Sequence, residues 1–229
     1  MPQFAANLHY LFSELPFLER FEAAAAAGFK AVEFQVPYDY PSAELSARLH
    51  ANGLKMVLFD APMGDWERTY VANLRHAASM LAGHGIAGVI EPINKKMGIV
   101  QNGPSYTTQG MHGYFLNHTD QARRILDEVG SGNLLLHLDC YHMQMLEGNL
   151  AETIREHIGL LRHVQIAGVP GRHEPSDGEI NYPYLFDLLD ELGYGGWVGC
   201  EYRPRVDTWL GLSWAAKYGI QGTRPAASK

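Results

Sequence analysis

Short apolar segments alternate with amphipathic helical patterns along almost the entire chain, and this alternation constrains the fold more than any other feature. The segments typical of strands are FAANL (4 to 8), AVEFQ (31 to 35), LKMVLFDA (54 to 61), IAGVIEPI (86 to 93), LLLHLDCY (134 to 141), HVQIAG (163 to 168) and GWVGCEY (196 to 202). Buried strands joined by helices form parallel sheets with right-handed crossovers. The number of units favours a TIM-barrel-like (β/α) barrel of the α/β class over an open sheet.

The helical patterns fall between these strands. They cover residues 14 to 29, 42 to 52, 67 to 82, 119 to 129, 150 to 160, 181 to 192 and 207 to 218. A chain of 229 residues with 46% hydrophobic content can bury one sizeable core. We therefore expect a single barrel domain over residues 1 to 221, followed by a flexible tail at 222 to 229.

The strand count departs from the usual barrel. Seven strand segments are present in the sequence, whereas a closed barrel of this type has eight. Residues 95 to 118 form a long stretch rich in glycine, tyrosine and polar residues, which is typical of a functional loop or an insert. MGIV, within that stretch, is an alternative short strand, although its glycine-rich surroundings favour a loop.

Charge and cysteine content narrow the classes of function. The formal net charge of -7 opposes binding to a nucleic-acid backbone and favours small-molecule partners. The two cysteines, Cys140 and Cys200, lack the spacing of a zinc or redox motif, so we expect reduced packing residues. No segment resembles a leader peptide or a membrane span, and we expect a cytoplasmic protein.

Four polar side chains lie near the C-terminal ends of the later strand segments. They are Glu91, Asp139, Gln165 and Glu201. In a parallel barrel these ends face the loops that bind substrate. Three carboxylates and an amide supply the oxygen ligands that hard divalent cations prefer, so the sequence predicts a site for Mg²⁺ or Mn²⁺.

Each of these residues also has a purely structural interpretation. An acid at a strand end commonly caps a helix or forms an ion pair, and a glutamine there can bond to the backbone. His142 can contact a substrate oxygen or be a core histidine with satisfied hydrogen bonds. Arg172 can clamp a carboxylate with two parallel hydrogen bonds or form an ordinary surface ion pair. Four polar residues at equivalent places favour a site over coincidence.

The strand positions also suggest a chemistry. Glu91 and Glu201 follow strands that are far apart in the chain, so we expect them to face each other across the barrel mouth with substrate between them. A divalent cation polarises the carbonyl and hydroxyl groups of a sugar acid and lowers the barrier to removing the carbon-bound proton between them. The two glutamates can then act as base and acid.

Several motifs together resemble the hydroxypyruvate isomerase family, which includes the 2-oxo-tetronate isomerases. The segments that carry the resemblance are EPIN (91 to 94), LDCYHMQMLEG (138 to 148), HVQIAGVPGRHEPSDGEINY (163 to 182), GWVGCEYRP (196 to 204), FAANLHYLF, GFKAVEFQVPYDY and APMGDWE. The likeness extends over nearly the whole chain. It implies a xylose-isomerase-like TIM barrel.

The resemblance also implies roles for individual residues. It implies that the metal is bound by Glu91, Asp139, Gln165 and Glu201, and that Glu91 and Glu201 exchange the proton. It also implies that His142 and Arg172 bind the substrate.

Two departures from the family pattern stand out. Family members usually carry a further helix and strand, about thirty residues, between the GDWE motif and the helix RTYVANLRHAASMLAGHG. Here Glu67 leads directly into that helix, and Gly168 stands where an aspartate is common after QIA. A barrel without one strand has two unpaired edges, which must pair with each other, be covered by the long loop or meet another chain. We expect direct pairing or a covered gap, and a homo-oligomer is a further option.

The function expected from the sequence is isomerisation of a small sugar acid. Hydroxypyruvate and tartronate semialdehyde, or a 2-oxo-tetronate pair, would interconvert by proton transfer through an enediolate. The alternatives are a catalytically impaired relative that binds a sugar acid, and an epimerase or dehydratase of keto-polyols on the same scaffold. A DNA-repair endonuclease shares the general fold, but the acidic balance and the single ligand set weigh against it.

Overall fold

The computed structural model describes residues 1–35, 39–59, 67–95 and 114–222. The strands are β1 (Gln3–Asn7), β2 (Ala31–Phe34), β3 (Lys55–Phe59), β4 (Gly88–Ile90), β5 (Leu134–Asp139), β6 (Leu161–Ile166) and β7 (Trp197–Cys200). The helices are α1 (Arg20–Ala26), α2 (Ser42–Ala51), α3 (Glu67–Ala82), α4 (Thr119–Val129), α5 (Cys140–Leu146), α6 (Leu150–His157), α7 (Tyr182–Glu191) and α8 (Thr208–Gly211). The described residues thus contain the seven strands that the sequence predicts.

The chain divides into two compact units. The first comprises Met1–Ala61, Ile166–Asp190 and Trp197–Lys229, and the second comprises Pro62–Gln165 and Glu191–Gly196. The expected single domain over residues 1 to 221 therefore stays a prediction. Most of the expected loop at 95 to 118, the MGIV segment and almost all of the expected tail lie outside the described residues.

The sheet of the first unit is a parallel ladder in the order β3-β2-β1-β7. In the ladder between β1 and β7, the paired residues run from Gln3↔Trp197 to Ala6↔Cys200. Every residue of β2 is buried, as expected for a strand covered on both faces. In β3 no residue is fully buried, and among the described residues β3 is paired on one side only.

The core of the first unit contains a cluster of aromatic rings. Phe4, from β1, packs edge to face on Phe186 and Trp214, with ring centroids 5.3 and 5.4 Å apart. This geometry is favourable for aromatic pairs, and such rings bury large apolar areas. The cluster therefore ties β1 to α7 and to the 3-10 helix Leu212–Tyr218 that follows α8.

The second unit is built on a parallel ladder in the order β4-β5-β6. The paired residues of β4 and β5 run from Gly88↔Leu134 to Ile90↔Leu136, and those of β5 and β6 end at Asp139↔Gln165. Paired residues in adjacent strands direct their side chains to the same face. This register places the polar strand ends of the second unit on one side of its sheet.

Two helices differ from the sequence-based expectation. The helix expected from residue 14 begins as a 3-10 turn at Phe17–Glu19 and continues as α1 from Arg20. The start is later than expected because Pro16 is extended, with a ψ of 144°, and disfavours helix in the residue before it. The helix expected at 207 to 218 is α-helical only at Thr208–Gly211 and then continues as the 3-10 helix.

Helix α5 was not expected from the sequence. The apolar run from 134 to 141 predicts a single strand, but the strand ends at Asp139 and α5 begins at the next residue. An aspartate that caps a helix is a known start signal, and Asp139 fills that position. This sharp transition sets the geometry of the candidate site.

Both cysteines are buried and free, as the sequence predicts. Burial raises the pKa of the Cys140 thiol and of the Cys200 thiol, with further contributions from nearby carboxylates. Both therefore stay protonated at neutral pH. Among the described residues, no helix combines the length and the apolar character needed to cross a membrane.

Candidate metal and substrate site

Asp139 uses its two carboxylate oxygens for different purposes. Oδ1 accepts a hydrogen bond of 2.8 Å from the backbone N–H of Tyr141 and so caps α5. Oδ2 lies 3.4 Å from Nε2 of His142. The side chain is 1% exposed. The capping interpretation and the ligand interpretation are therefore compatible, because one oxygen serves the helix and the other faces the site.

His142 is brought to the same point by the first turn of α5. Its Nδ1 lies 2.6 Å from the side-chain amide nitrogen of Asn94, which is fully buried. Because an amide N–H donates, Nδ1 accepts in this arrangement, and the proton of the neutral ring lies on Nε2. Nε2 therefore points as a donor toward Asp139 and toward Glu91, whose Oε1 is 3.8 Å away.

Glu91 completes a compact cluster with these two residues. One ligand atom each from Glu91, Asp139 and His142 lies within 4.8 Å of the others. Around an ion with bonds of about 2.1 Å, neighbouring octahedral ligands are about 3 Å apart and opposite ligands about 4.2 Å apart. The cluster is thus only slightly wider than a bound coordination shell, and its two carboxylates suit a hard cation.

Gln165 joins this group through strand register. It pairs with Asp139 across β5 and β6, so both side chains point to the same face, and Gln165 is buried. An amide oxygen is a neutral ligand for the same class of cation. The donor chemistry of the second unit therefore fits a divalent metal through Glu91, Asp139 and Gln165.

Two buried histidines lie on the same strands, two residues before Asp139 and Gln165. His137 and His163 are register partners, and their rings lie 5.1 Å apart in an edge-to-face arrangement. Burial, and then the neighbouring His163, lower the pKa of His137 to about 3. Its Nδ1 is 3.6 Å from Oε2 of Glu91. A neutral His137 thus lies beside the glutamate, at a distance longer than a hydrogen bond, and adds no positive charge that would compete with the cation.

Glu201 lies in the first unit, directly after β7. Its Oε1 accepts a hydrogen bond of 3.0 Å from the side-chain amide of Gln35, and its Oε2 accepts one from the guanidinium of Arg172. The glutamate side chain is 5% exposed. Both donors stabilise the ionised carboxylate, and together they fix the plane of the group.

Arg172 is held in a specific conformation by its loop. Its φ of 56 lies in the left-handed region, which is uncommon outside glycine. Its backbone N–H donates to the carbonyl of Gly168, 2.7 Å away, and its guanidinium carbon lies 5.4 Å from the ring centroid of Tyr10. The arginine is buried and packed as well as paired.

Gly168 explains one departure from the family pattern. A Cβ atom at this position would collide with the backbone carbonyl oxygens of Asp177 and Glu174. The loop after β6 therefore folds back onto residue 168 more closely than a side chain allows. An aspartate at this place requires a different path for the loop.

The structure distributes the predicted residues over the two units. Glu91, Asp139, Gln165 and His142 come together in the second unit. Glu201 and Arg172 come together in the first. Sequence analysis did not single out the supporting residues, which are Gln35, Asn94, His137 and His163. The two histidines could have been found from alternation, since each precedes a predicted ligand by two residues on the same strand.

Comparisons with known proteins agree on one fold. The family model described as "Xylose isomerase-like TIM barrel" matches residues 64–218. A 2-oxo-tetronate isomerase from Cupriavidus necator is 43% identical, covering 95% of this chain and 99% of the relative. The hydroxypyruvate isomerase of Escherichia coli is 37% identical, covering 95% of this chain and 100% of the relative.

A crystal structure from Brucella melitensis described as "AP endonuclease, family 2" superposes with a TM-score of 0.87. It is 38% identical and covers 95% of this chain and 99% of that chain. The match to the Cupriavidus relative extends over 270 positions, which exceeds the 229 residues of this chain by 41. At least that many positions therefore have no counterpart here, which supports the expectation that a segment is missing.

Proposed function

The chain belongs to the xylose isomerase-like TIM barrel family, and because its curated relatives are sugar-acid isomerases, we propose that it is a metal-dependent isomerase of a small keto sugar acid. The substrate is hydroxypyruvate or a 2-oxo-tetronate. Both carry a carboxylate next to a ketone, and in both the carbon beyond the ketone bears a hydroxyl group. The reaction exchanges the positions of the carbonyl and hydroxyl groups, so that substrate and product have the same atoms.

The observation that carries the proposal is the cluster of Glu91, Asp139 and His142, with ligand atoms within 4.8 Å of one another. Glu91, Asp139 and Gln165 would hold the cation through oxygen atoms, with Glu201 as the fourth ligand expected from its place after β7. A divalent cation of this kind supplies positive charge that polarises a carbonyl oxygen and acidifies the neighbouring C–H. Mg²⁺ and Mn²⁺ suit the oxygen donors.

His142 serves as a donor to substrate in this proposal. Its Nε2–H is directed by the contact between Nδ1 and Asn94, and so it can bond to a substrate oxygen beside Glu91 and Asp139. If Nε2 bound the metal instead, the ring proton would have to lie on Nδ1. The Asn94 amide would then have to rotate by about 180°, so that its oxygen accepts from Nδ1. The contact as it stands therefore favours substrate binding.

Glu201 takes the proton from the hydroxyl-bearing carbon. Gln35 and Arg172 keep its carboxylate ionised and oriented, which makes it available as a base, and its burial limits competition from water. Hydrogen bonds of this kind also weaken a base, so positioning must supply part of the rate. Glu91, as the second carboxylate, would take the proton of the hydroxyl group and deliver it to the adjacent carbon, and Glu201 would give its proton to the former carbonyl oxygen, so that both carboxylates end ionised.

Exchange of the carbon-bound proton with solvent tests the proposal directly. Purified protein with Mn²⁺ or Mg²⁺ is mixed in D₂O with hydroxypyruvate or a 2-oxo-tetronate, and NMR follows loss of the proton signal. We expect metal-dependent exchange that Glu201→Gln abolishes while the fold is retained. The control is Glu152→Gln, an exposed glutamate on α6, which should exchange at the wild-type rate.

Three results would contradict the proposal or a part of it. Absence of exchange and turnover in the wild-type protein with both substrates and both metals would exclude isomerisation of these acids. Tight binding without turnover would identify the chain as a binding protein rather than an enzyme. Full exchange in Glu201→Gln would remove this glutamate from the proton transfer.

A further inference from the structure

Asn94 lies in the short segment that follows β4, and neighbouring residues hold this segment in place. Pro92 restricts the backbone directly after Glu91, and the N–H of Ile93 donates to the carbonyl of Leu116 at a distance of 3.0 Å. Asn94 itself is fully buried. Its amide is therefore held inside the second unit, three residues after a proposed metal ligand.

The Asn94 amide meets the imidazole of His142 at one ring nitrogen. Nδ2 of Asn94 lies 2.6 Å from Nδ1 of His142, and the histidine is 3% exposed. Two nitrogen atoms approach this closely only when a proton lies between them. The amide nitrogen always carries hydrogens, so Nδ1 is the acceptor, and the proton of the neutral ring lies on Nε2.

The surroundings of the other ring nitrogen favour the same tautomer. Nε2 of His142 lies 3.4 Å from Oδ2 of Asp139 and 3.8 Å from Oε1 of Glu91. Ionised carboxylate oxygens only accept hydrogen bonds, so they attract a protonated Nε2 and would repel a lone pair at that place. The contacts of both ring nitrogens therefore agree on one position for the proton.

A metal-bound histidine has the opposite arrangement. It binds the ion through the lone pair of one ring nitrogen and donates the N–H of the other to a carboxylate, a backbone carbonyl or water. In His142 the nitrogen that faces away from the cluster meets a donor, and the nitrogen that faces the cluster carries the proton. His142 therefore belongs to the cluster by distance, whereas its tautomer is that of a hydrogen-bond donor.

The choice of tautomer decides which donor atoms the cluster can offer to a cation. With Nε2 protonated, Glu91, Asp139 and Gln165 offer oxygen atoms alone. Oxygen donors suit Mg²⁺ and Mn²⁺, whereas imidazole suits zinc, copper and nickel. One buried amide outside the ligand set therefore bears on the class of metal.

We propose that Asn94 is a positioning residue that keeps the proton of His142 on Nε2, so that the ring serves the substrate as a donor and the site selects Mg²⁺ or Mn²⁺ over Zn²⁺. The inference rests on the proposed function, which supplies the metal and the substrate. Asn94 touches neither of them and acts through the ring. An aspartate in its place would accept from Nδ1–H and would leave the lone pair of Nε2 available to a metal.

Calorimetric titration with Mn²⁺ and with Zn²⁺ tests the effect on metal preference. We expect Asn94→Asp to raise the ratio of Zn²⁺ affinity to Mn²⁺ affinity by about 10- to 100-fold, the range that the partners of metal-bound histidines control. The ratio is the quantity to compare, because the added negative charge favours both cations. His142→Gln should cancel this rise in the Asn94→Asp protein, and alone it should leave Mn²⁺ binding at the wild-type level.

The matched control is Asn149→Asp, which makes the same change of charge in the second unit. Asn149 is exposed, and its side chain forms no capping bond to α6. Its backbone φ of 49 lies in the left-handed region, which aspartate adopts as readily as asparagine. The ratio of Zn²⁺ affinity to Mn²⁺ affinity should therefore equal that of the wild type.

NMR of the histidine ring measures the tautomer directly and without turnover. Correlations between ring protons and ring nitrogens are recorded for Mg²⁺-loaded protein, and the His142 signals are assigned by their loss in His142→Gln. We expect the proton on Nε2 in the wild type and on Nδ1 in Asn94→Asp. A role of Asn94 in packing alone would not move the proton between the two nitrogens.

Three results would overturn the inference: a proton on Nδ1 in the wild type, an unchanged metal preference in folded Asn94→Asp, or weakened Mn²⁺ binding in His142→Gln alone. If Asn94→Asp does not fold, the wild-type tautomer and the His142→Gln titration decide. The proposed function fails separately. A wild-type protein with the expected tautomer and the expected preference for Mn²⁺, but without proton exchange, would support the role of Asn94 and refute the isomerase.

Discussion

Asp139 offers a test that separates structural from metal-binding roles, because its two oxygens have different partners. Oδ1 caps α5 through the 2.8 Å bond from Tyr141, and Oδ2 faces the proposed metal position. Asparagine caps a helix about as well as aspartate, whereas alanine loses about 1 kcal/mol and up to about 2. For a chain of this size, 1 kcal/mol corresponds to about 2–4 °C in Tm.

The expected results differ between the two variants. Asp139→Ala should melt about 2–8 °C below wild type without metal, whereas Asp139→Asn should stay within about 2 °C. At a metal concentration of about 100 times Kd, binding stabilises wild type by about 2.7 kcal/mol, or about 5–11 °C. If removing the charged ligand weakens binding about 100-fold, the same concentration stabilises Asp139→Asn by only about 0.4 kcal/mol, or about 1–2 °C.

Thermal unfolding with and without Mn²⁺, followed by circular dichroism, measures both effects. The control is Asp207→Ala, since Asp207 caps α8 through a 3.1 Å bond from the N–H of Leu210 and lies outside the proposed ligand set. This variant should lose stability and retain the full response to Mn²⁺. An Asp139→Asn protein with the wild-type metal response, over the whole range of concentrations, would show that Asp139 is no ligand.

Two further predictions concern packing and titration. Gly168→Ala should lower the free energy of unfolding by about 1–3 kcal/mol, measured by urea unfolding, because the added Cβ meets backbone oxygens. Gly159→Ala is the control, since a Cβ there meets open space and should cause no loss. Equal stability of the two variants would contradict this prediction. Cys140 and Cys200 should resist alkylation at pH 8 in folded protein and react in urea, since both pKa values are raised. Because the unfolded thiols ionise near pH 8.5 and the folded thiols do not, the free energy of unfolding should fall as pH rises above that value, and a flat profile would be inconsistent with burial.

The sequence predicts the strands and most helices because their apolar periodicity is local. The sequence-based prediction fails where the same local pattern is compatible with two structures. The run LLLHLDCY has the composition of one continuous strand, but the strand ends where the N–H of Tyr141 donates its capping bond to Asp139. Near the N-terminus, the helical pattern predicts a helix from residue 14, but Pro16 disfavours helix in the residue before it, and the helical structure begins only at Phe17.

The candidate site shows the same division. The proposed ligand residues were predicted from their strand-end positions, which are a property of the chain around each residue. The pairing of Glu201 with Arg172 joins residues 29 apart, and that with Gln35 joins residues 166 apart. Such contacts depend on loop paths and on packing, which periodicity does not encode.

The shorter chain raises the question of how the proposed metal site could survive the expected loss of a strand. The expected missing segment precedes α3, whereas the cluster of the second unit is built from β4, β5, α5 and β6, which all follow it. Register pairs Ile90 with Leu136, the residues just before Glu91 and His137, and it pairs Asp139 with Gln165. Because these alignments depend on backbone hydrogen bonds within three neighbouring strands, they require nothing from the strand that is expected to be missing. The cost of the shorter chain should therefore appear in stability and substrate specificity before it appears in metal affinity.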